Sequence, residues 1–261
     1  MNKVELIKKI MLKKEFSGLP KKDVELVFER FDNENHSDEE KVKFTRNILR
    51  KVFSSFTSQK ILSLKNKDEE WILKKHLSTR ERYPNYLEIY QKLLKNMGKN
   101  LSVIDLGSGV NGFSYNYFKK LGFNINYLGI EAIKQLVDLM DYYFKKEKMK
   151  AKAVHLSLLE LEKVKDLIKK LKKPKIVFLF KTIDSLEVLD RDYSKKLISE
   201  IVPLTDKLAI SFATRSMVRK KKFNAQRNWI LNFLKDNFEI LDDFQLSGER
   251  YVVFKAVGKH L

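Results

Sequence analysis

After about residue 100 the sequence alternates short strand-like runs with longer helical ones, and this alternation constrains the fold more than any other feature. The strand-like runs lie at 102–106, 125–130, 151–155, 176–181, 207–212, 239–244 and 251–255. Helical patterns fit between the first six, at about 113–121, 132–148, 157–172, 185–201 and 223–236. Such alternation predicts an α/β fold with a mostly parallel sheet covered on both faces. The last two runs are separated only by residues 245–250. A parallel crossover needs a dozen residues or more, so this pair must be antiparallel. The expected architecture is a seven-stranded, mostly parallel sheet closed by one antiparallel hairpin.

Residues 1–75 read differently. Apolar residues fall at helical spacing over 4–12 and 24–31, with Ser17-Gly-Leu-Pro20 between them. A polar stretch at 33–38 follows, in which Ser37 or Asp38 is placed to cap a helix over about 39–56. Nothing before residue 76 resembles a strand. Two units are therefore expected: a helical extension over 1–75 and the sheet domain over 76–261.

Several chemistries are closed to this chain. It has no cysteine, which excludes disulfides, thiolate metal sites and cysteine nucleophiles. His36, His76, His155 and His260 have no ligand spacing, so no metal is expected. The longest uninterrupted apolar run, 176–180, is far too short to span a bilayer. A cytoplasmic protein with no membrane partner, working as a monomer, is the expectation.

The carboxyl end of the first strand carries Asp105-Leu-Gly-Ser-Gly109. Ligands of open α/β sheets bind at that end. Gly107 and Gly109, with Ser108 between them, allow a tight turn and close approach of the backbone. Asp105 would repel a pyrophosphate, but suits a cationic ligand bearing an amino group, such as the methionine part of S-adenosylmethionine. Glu131 stands at the tip of the second strand, 26 residues after Asp105, where a carboxylate can accept hydrogen bonds from two ribose hydroxyls. The alternatives are a nucleotide-binding or merely structural glycine turn and a glutamate capping the next helix.

The charge fits a polyanionic partner or a lysine-rich proteome equally well, so clustering must decide. Lys and Arg total 53 against 34 acids, a formal net charge of +19. Basic residues cluster in two acid-free segments. One holds Lys41, Lys43, Arg46, Arg50, Lys51 and Lys60; the other holds Arg215, Arg219, Lys220, Lys221, Lys222 and Arg227. Clustering of this kind fits tracking of a nucleic-acid backbone better than scattered charge does. Phe223 and Trp229 are candidates for stacking on a base, with core packing the favoured reading for Trp229.

Several segments together resemble the 16S ribosomal RNA (guanine-N7) methyltransferases that confer aminoglycoside resistance. His76-Leu-Ser-Thr-Arg-Glu-Arg82 is similar to that family's H-x-S-T-x-E-R segment. Val103-Ile-Asp-Leu-Gly-Ser-Gly-Val-Asn111 resembles its cofactor loop, and Phe178-Leu-Phe-Lys181 with Leu186-Glu187 its F-K-x-x-x-x-L-E segment. Ser211-Phe-Ala-Thr-Arg-Ser216 resembles S-F-P-T-R-S, and Leu246-Ser-Gly-Glu-Arg-Tyr-Val252 its I-G-x-E-x-x-Y ending. The order and spacing agree over nearly the whole chain. The departures are Ser108 and Gly112 for the family's cysteine and proline, Glu131 for its aspartate, and Ser157 where an aspartate should face the adenine.

The resemblance implies a class I, Rossmann-like methyltransferase fold, S-adenosyl-L-methionine as cofactor and ribosomal RNA or the 30S subunit as partner, with residues 1–75 docking the RNA. It implies that Arg82, with Arg80, reaches the cofactor carboxylate, and that Ser157, Leu158 and Phe180 line the cofactor pocket. A surface salt-bridge cluster of Arg80, Glu81 and Arg82 is the alternative. Lys181 and Glu249 become candidate contacts to the target base, against an ordinary surface lysine and a salt bridge near Arg250. Guanine N7 has a free lone pair, so alignment of the reactants is enough and no catalytic base is required. The [Asp/Asn]-Pro-Pro-aromatic turn usual for exocyclic-amine methylation is replaced by Phe180-Lys-Thr-Ile183. A small-molecule methyltransferase and a non-catalytic RNA-binding protein of the same fold are the competing expectations.

Overall fold

The computed structural model describes residues 1–54, 61, 68–214 and 227–258. Its strands are β1 (Asn100–Leu106), β2 (Asn124–Glu131), β3 (Ala151–His155), β4 (Lys175–Phe180), β5 (Lys207–Ala213), β6 (Phe238–Leu246) and β7 (Glu249–Ala256). They form one sheet in the order β3–β2–β1–β4–β5–β7–β6. The first five pair in parallel, and β7 pairs antiparallel with both β5 and β6. All seven expected strands are present, with the expected hairpin, and the fold is the class I methyltransferase type. The strand order reverses between β1 and β4, the crevice where ligands of such sheets sit.

Strand periodicity explains how the sheet is covered. In β4 every residue is buried, which suits a central strand with helices on both faces. Ile176, Phe178 and Phe180 join one apolar layer with Leu101 and Val103 of β1. Val177 and Leu179 join the other with Ile104 and Leu106. The edge strand β6 alternates half-buried and exposed residues along its length, as a strand solvated on one face does.

The helices are α1 (Lys3–Met11), α2 (Lys21–Glu29), α3 (Asp38–Leu49), α4 (Glu69–Lys75), α5 (Leu77–Arg82), α6 (Tyr86–Leu93), α7 (Tyr115–Lys120), α8 (Lys134–Lys146), α9 (Leu161–Lys169), α10 (Ile183–Leu189), α11 (Tyr193–Ile201) and α12 (Asn228–Asn237). Ser37 caps α3 in a reciprocal capping box with Glu40. The helix expected over 39–56 leaves α geometry at Arg50 and continues as a π turn to Ser54. The single helix expected over 185–201 is two, because Asp192 takes a left-handed conformation at φ 63°. The helix expected from 157 starts only at Leu161, since residues 156–160 form a loop at the mouth of the sheet.

The N-terminal helices lie against the rim of the sheet. Leu6, Ile7, Val24, Val27 and Phe28 belong to the same buried apolar layer as Val103 and Phe178. The backbone nitrogen of Lys134 donates to the Gly18 carbonyl at 2.9 Å, and Arg30 donates to the Val188 carbonyl at 2.7 Å. These contacts bring the start of α2 beside the loop after β2 and its end beside α10, which follows β4.

Candidate cofactor site

At the carboxyl ends of β1, β2 and β4 lies a cleft of about 870 Å³, open solvent included. The loop after β1 shapes its floor. Gly107 and Gly109 have φ of 70° and 55°, where a side chain is strained. The nitrogens of Gly107 and Ser108 both donate to the Ile130 carbonyl, at 2.9 and 3.1 Å. A Cβ on Gly107 would come within 2.8 Å of the Thr182 hydroxyl, and one on Gly109 within 3.2 Å of the His76 ring. The turn thus needs glycine for both conformation and space.

One end of the cleft pairs a cation with an anion through a single amide. Asn111 accepts at Oδ1 from Arg82 Nη1 at 3.0 Å and from the Tyr86 hydroxyl at 2.8 Å. Its Nδ2 donates to Asp105 Oδ2 at 2.7 Å. The Tyr127 hydroxyl donates to the same oxygen at 2.8 Å. Among the described residues, Arg82 Nη2 and Asp105 Oδ1 are left without a hydrogen-bond partner. A guanidinium nitrogen and a carboxylate oxygen held side by side match the carboxylate and ammonium of an α-amino acid. Burial raises the Asp105 carboxyl above its ordinary range, against the hydrogen bonds of Asn111 and Tyr127.

The middle of the cleft is formed by Glu131. Its two oxygens accept from the nitrogens of Gly109 and Ile133, at 2.8 and 2.9 Å. A carboxylate has about four acceptor positions, so capacity for two ribose hydroxyls remains. Burial pushes the Glu131 carboxyl upward, and these backbone donors offset part of the effect. Ser157, Leu158 and Phe180 also line the cleft. Phe180 packs beneath the Arg82 guanidinium, 4.9 Å from ring centre to the charge. Arg80 does not join them: it is exposed on α5, outside the cleft lining.

Glu249 sits deeper than a direct contact with a base suggests. Glu249 is fully buried. It accepts from Arg82 Nε at 3.1 Å and from the Ser211 hydroxyl, with Lys181 Nζ 3.3 Å away. Burial alone would raise its carboxyl; Arg82 and Lys181 overcome this and hold it below the usual range. The alternative for Glu249, an ion pair near Arg250, is not formed, because Arg250 pairs with Asp243 at 2.6 Å. Nor do Arg80, Glu81 and Arg82 pair among themselves: Glu81 meets Lys181, and Arg82 meets Glu249. Lys181 lines the cleft from a left-handed backbone position at φ 56°. It is not an ordinary surface lysine.

Sequence reasoning missed much of the wall. Asp23, Val52 and Phe53 reach the cleft from the N-terminal region, and His76, Ser78 and Thr79 from the segment before β1. The His76 ring is pushed down to about 3 by burial, helped by the charges of Arg82 and Lys181. It is therefore a neutral wall residue at ordinary pH. The signal for this wall was the His76 to Arg82 motif itself, of which only the arginines were read as cofactor residues. No local signal marked Asp23.

Of the basic residues assigned to RNA, Lys41 pairs with Asp32 at 3.0 Å and Arg50 with Glu15 at 2.7 Å. Arg46 donates to the Lys9 carbonyl. Lys43 and Lys51 are exposed. A groove lined by Lys43, Arg46 and Arg50 also takes in Lys9 and Lys13. The cluster is therefore larger than the 41–60 segment and spans two elements. Arg227 forms an ion pair with Asp184 at 2.6 Å and packs over the Phe212 ring. Arg215, Arg219, Lys220, Lys221 and Lys222 lie outside the described residues, as do Lys60, Phe223 and His260. The core position expected for Trp229 is corrected: the ring is 37% exposed, with Lys195 Nζ 5.5 Å over it. It falls on the outer face of α12, whose buried residues are Ile230 and Leu234. Among the described residues no helix is long and apolar enough to cross a membrane, and no group of three or more His, Asp or Glu could hold a metal.

Comparison with known proteins agrees with the fold. The sequence model of the family described as ribosomal RNA methyltransferase (FmrO) matches residues 43–244. A 16S rRNA (guanine(1405)-N(7))-methyltransferase of Proteus mirabilis is 34% identical over 71 residues. That alignment spans 27% of this chain and 25% of the relative. The solved structure of the 16S rRNA methylase RmtB superposes with a TM-score of 0.76 at 18% identity, covering 98% of this chain and 99% of that one. The 16S rRNA methyltransferase RmtF, solved in complex with S-adenosyl-L-homocysteine, gives a TM-score of 0.78 at 16% identity, covering 98% and 100%.

Proposed function

The chain belongs to the ribosomal RNA methyltransferase (FmrO) family, and from that membership we propose that it methylates N7 of a guanine in small-subunit ribosomal RNA, using S-adenosylmethionine. The observation that carries this reading is the Arg82–Asn111–Asp105 arrangement at one end of the cleft, with Glu131 at its middle. Arg82 Nη2 and Asp105 Oδ1 would hold the α-amino acid part of the cofactor, and Glu131 the ribose. The cofactor, when bound, supplies a methyl group on positively charged sulfur. The protein's residues then have to present a guanine in line with that methyl and keep water away. N7 keeps its lone pair at neutral pH and loses no proton on methylation, so no base is needed. The depressed His76 ring fits this, being part of a wall rather than a proton acceptor.

The Lys9, Lys13, Lys43, Arg46 and Arg50 groove supports a role for residues 1–75 in docking RNA phosphates, with residues 76–261 as the methyltransferase domain. In this reading Lys181, held at the cleft wall by Glu81 and Glu249, meets the target nucleotide, and Glu249 acts through Lys181 and Arg82. The test is transfer of labelled methyl from S-adenosylmethionine to isolated 30S subunits and to naked 16S ribosomal RNA. Saturable labelling of ribosomal RNA is expected. Labelling of neither, under conditions where the RNA binds, counts against the proposal.

A further inference from the structure

Asp23 is the one residue of α2 in the lining of the cleft, and nothing in the pattern around it announced a site. Its side chain is buried against the loop after β3. The Ser157 hydroxyl donates to Asp23 Oδ1 at 2.5 Å. Among the described residues this is the only hydrogen bond to the Asp23 carboxylate, so Oδ2 is unpartnered. The same loop leaves a second group unused. The nitrogen of Leu159 donates to Ser157 Oγ at 3.1 Å and that of Glu160 to the Ser157 carbonyl at 3.1 Å. Leu158, between them, also lines the cleft, and its N–H has no acceptor among the described residues.

An unpartnered carboxylate oxygen beside an unpartnered N–H is costly in a buried site unless a ligand completes both. The pair is an acceptor next to a donor. Adenine presents the complement along one edge: an exocyclic amine that donates and a ring nitrogen, N1, that accepts. We propose that Asp23, carried by the N-terminal helical region, accepts a hydrogen bond from the exocyclic amine of the cofactor's adenine while the Leu158 N–H donates to N1. This rests on the reading that the cleft takes S-adenosylmethionine. The carboxylate expected at position 157 is thereby supplied from a distant part of the chain, and Ser157 orients it. Burial pushes the Asp23 carboxyl up to about 6, against the Ser157 hydrogen bond, as expected of an acid short of donors. The adenosine pocket is then closed by the same region that carries the Lys9 to Arg50 groove, so that cofactor binding and the RNA-docking surface share an element.

Calorimetric titration with S-adenosylhomocysteine and with its deaminated analogue S-inosylhomocysteine tests this. Inosine presents a carbonyl in place of the amine and an N–H in place of N1, which reverses both contacts. The wild-type protein is expected to prefer S-adenosylhomocysteine by at least about tenfold, the size of one charge-assisted hydrogen bond. Asp23→Ala should cut that preference about tenfold, and Asp23→Asn, which keeps the shape, should also cut it because an amide tolerates a carbonyl. Adding Ser157→Asp to Asp23→Ala should restore the preference by returning a carboxylate to the loop. If Asp23 only fastens α2 to the loop, its variants lower the melting temperature or weaken both ligands equally, with the preference unchanged; that result overturns the proposal and leaves the cofactor reading intact. If the wild-type protein binds neither ligand, the cofactor reading fails and this proposal with it.

Discussion

The behaviour of single residues in the cleft follows from burial and backbone conformation. Gly107 combines a φ of 70° with a neighbouring hydroxyl 2.8 Å from where a Cβ would stand. Gly107→Ala is therefore expected to lose cofactor affinity by tenfold or more and to lower stability by about 1–3 kcal/mol, read by calorimetry and denaturant titration. Asp23 and His76 predict opposite responses to pH. The Asp23 carboxyl, at about 6 in the folded protein against 3.8 ordinarily, contributes stability that is present below pH 3.8 and lost as pH rises through 6. Without ligand, Asp23→Asn should match the wild type near pH 4 and exceed it above pH 6, by about 2–3 kcal/mol. His76, pushed down to about 3 from 6.5, contributes stability that is present above pH 6.5 and lost as pH falls toward 3. Chemical denaturation of wild type and Asp23→Asn from pH 4 to pH 8 checks the first, and an unchanging difference between them contradicts it. At this scale Asp105, Glu131 and Arg82 were legible in the sequence, because a strand tip or a short motif marks them. Asp23 was not, since its place depends on how a separate helix lands on the sheet.

At the scale of elements, β7 and α5 are fastened by a buried ion pair between Arg82 and Glu249, with Lys181 of the β4 tip completing it. Removing one partner leaves an unpaired buried charge, which costs about 3–5 kcal/mol. Glu249→Ala should lose stability on that scale and also weaken cofactor binding, because Arg82 is no longer held from behind. Comparison of denaturation midpoints and ligand affinity checks both effects, and stability unchanged within about 0.5 kcal/mol contradicts this view of the pair. The central strands were legible as short apolar runs between glycine or polar breaks, with β4 buried on both faces, and the edge strands β3 and β6 as alternating polar and apolar residues. The helix ends were less so. The break at Asp192 takes a left-handed conformation that aspartate adopts only occasionally, and the 156–160 loop keeps an apolar, helix-like pattern because Leu156 and Leu158 are buried in the sheet's second layer. Trp229 deceived for the converse reason: a large apolar ring within a helical run read as core, while the buried face of α12 runs through Ile230 and Leu234.

At the scale of the whole molecule, a net charge of +19 must show itself in association. Binding to 30S subunits should weaken linearly on a logarithmic salt scale, with a slope of roughly −0.7 to −0.9 per phosphate contacted. Charge reversal at Lys9, Lys13 and Lys43 together should make that slope shallower while leaving S-adenosylhomocysteine affinity within about twofold, since none of the three lines the cleft. Filter binding across a salt series reads this, and an unchanged slope removes the N-terminal groove from the RNA interface. A common apolar layer joins α1 and α2 to Val103 and Phe178, and the helical region both lines the cleft, through Asp23, Val52 and Phe53, and carries the charged groove. The most direct measurement of the central claim is mass spectrometry of the nucleosides from 30S subunits incubated with the protein and isotopically labelled S-adenosylmethionine. The account predicts labelled 7-methylguanosine, present with the wild-type protein and lost with Asp105→Ala. Label in a different nucleoside, or none in RNA that the protein demonstrably binds, would contradict it.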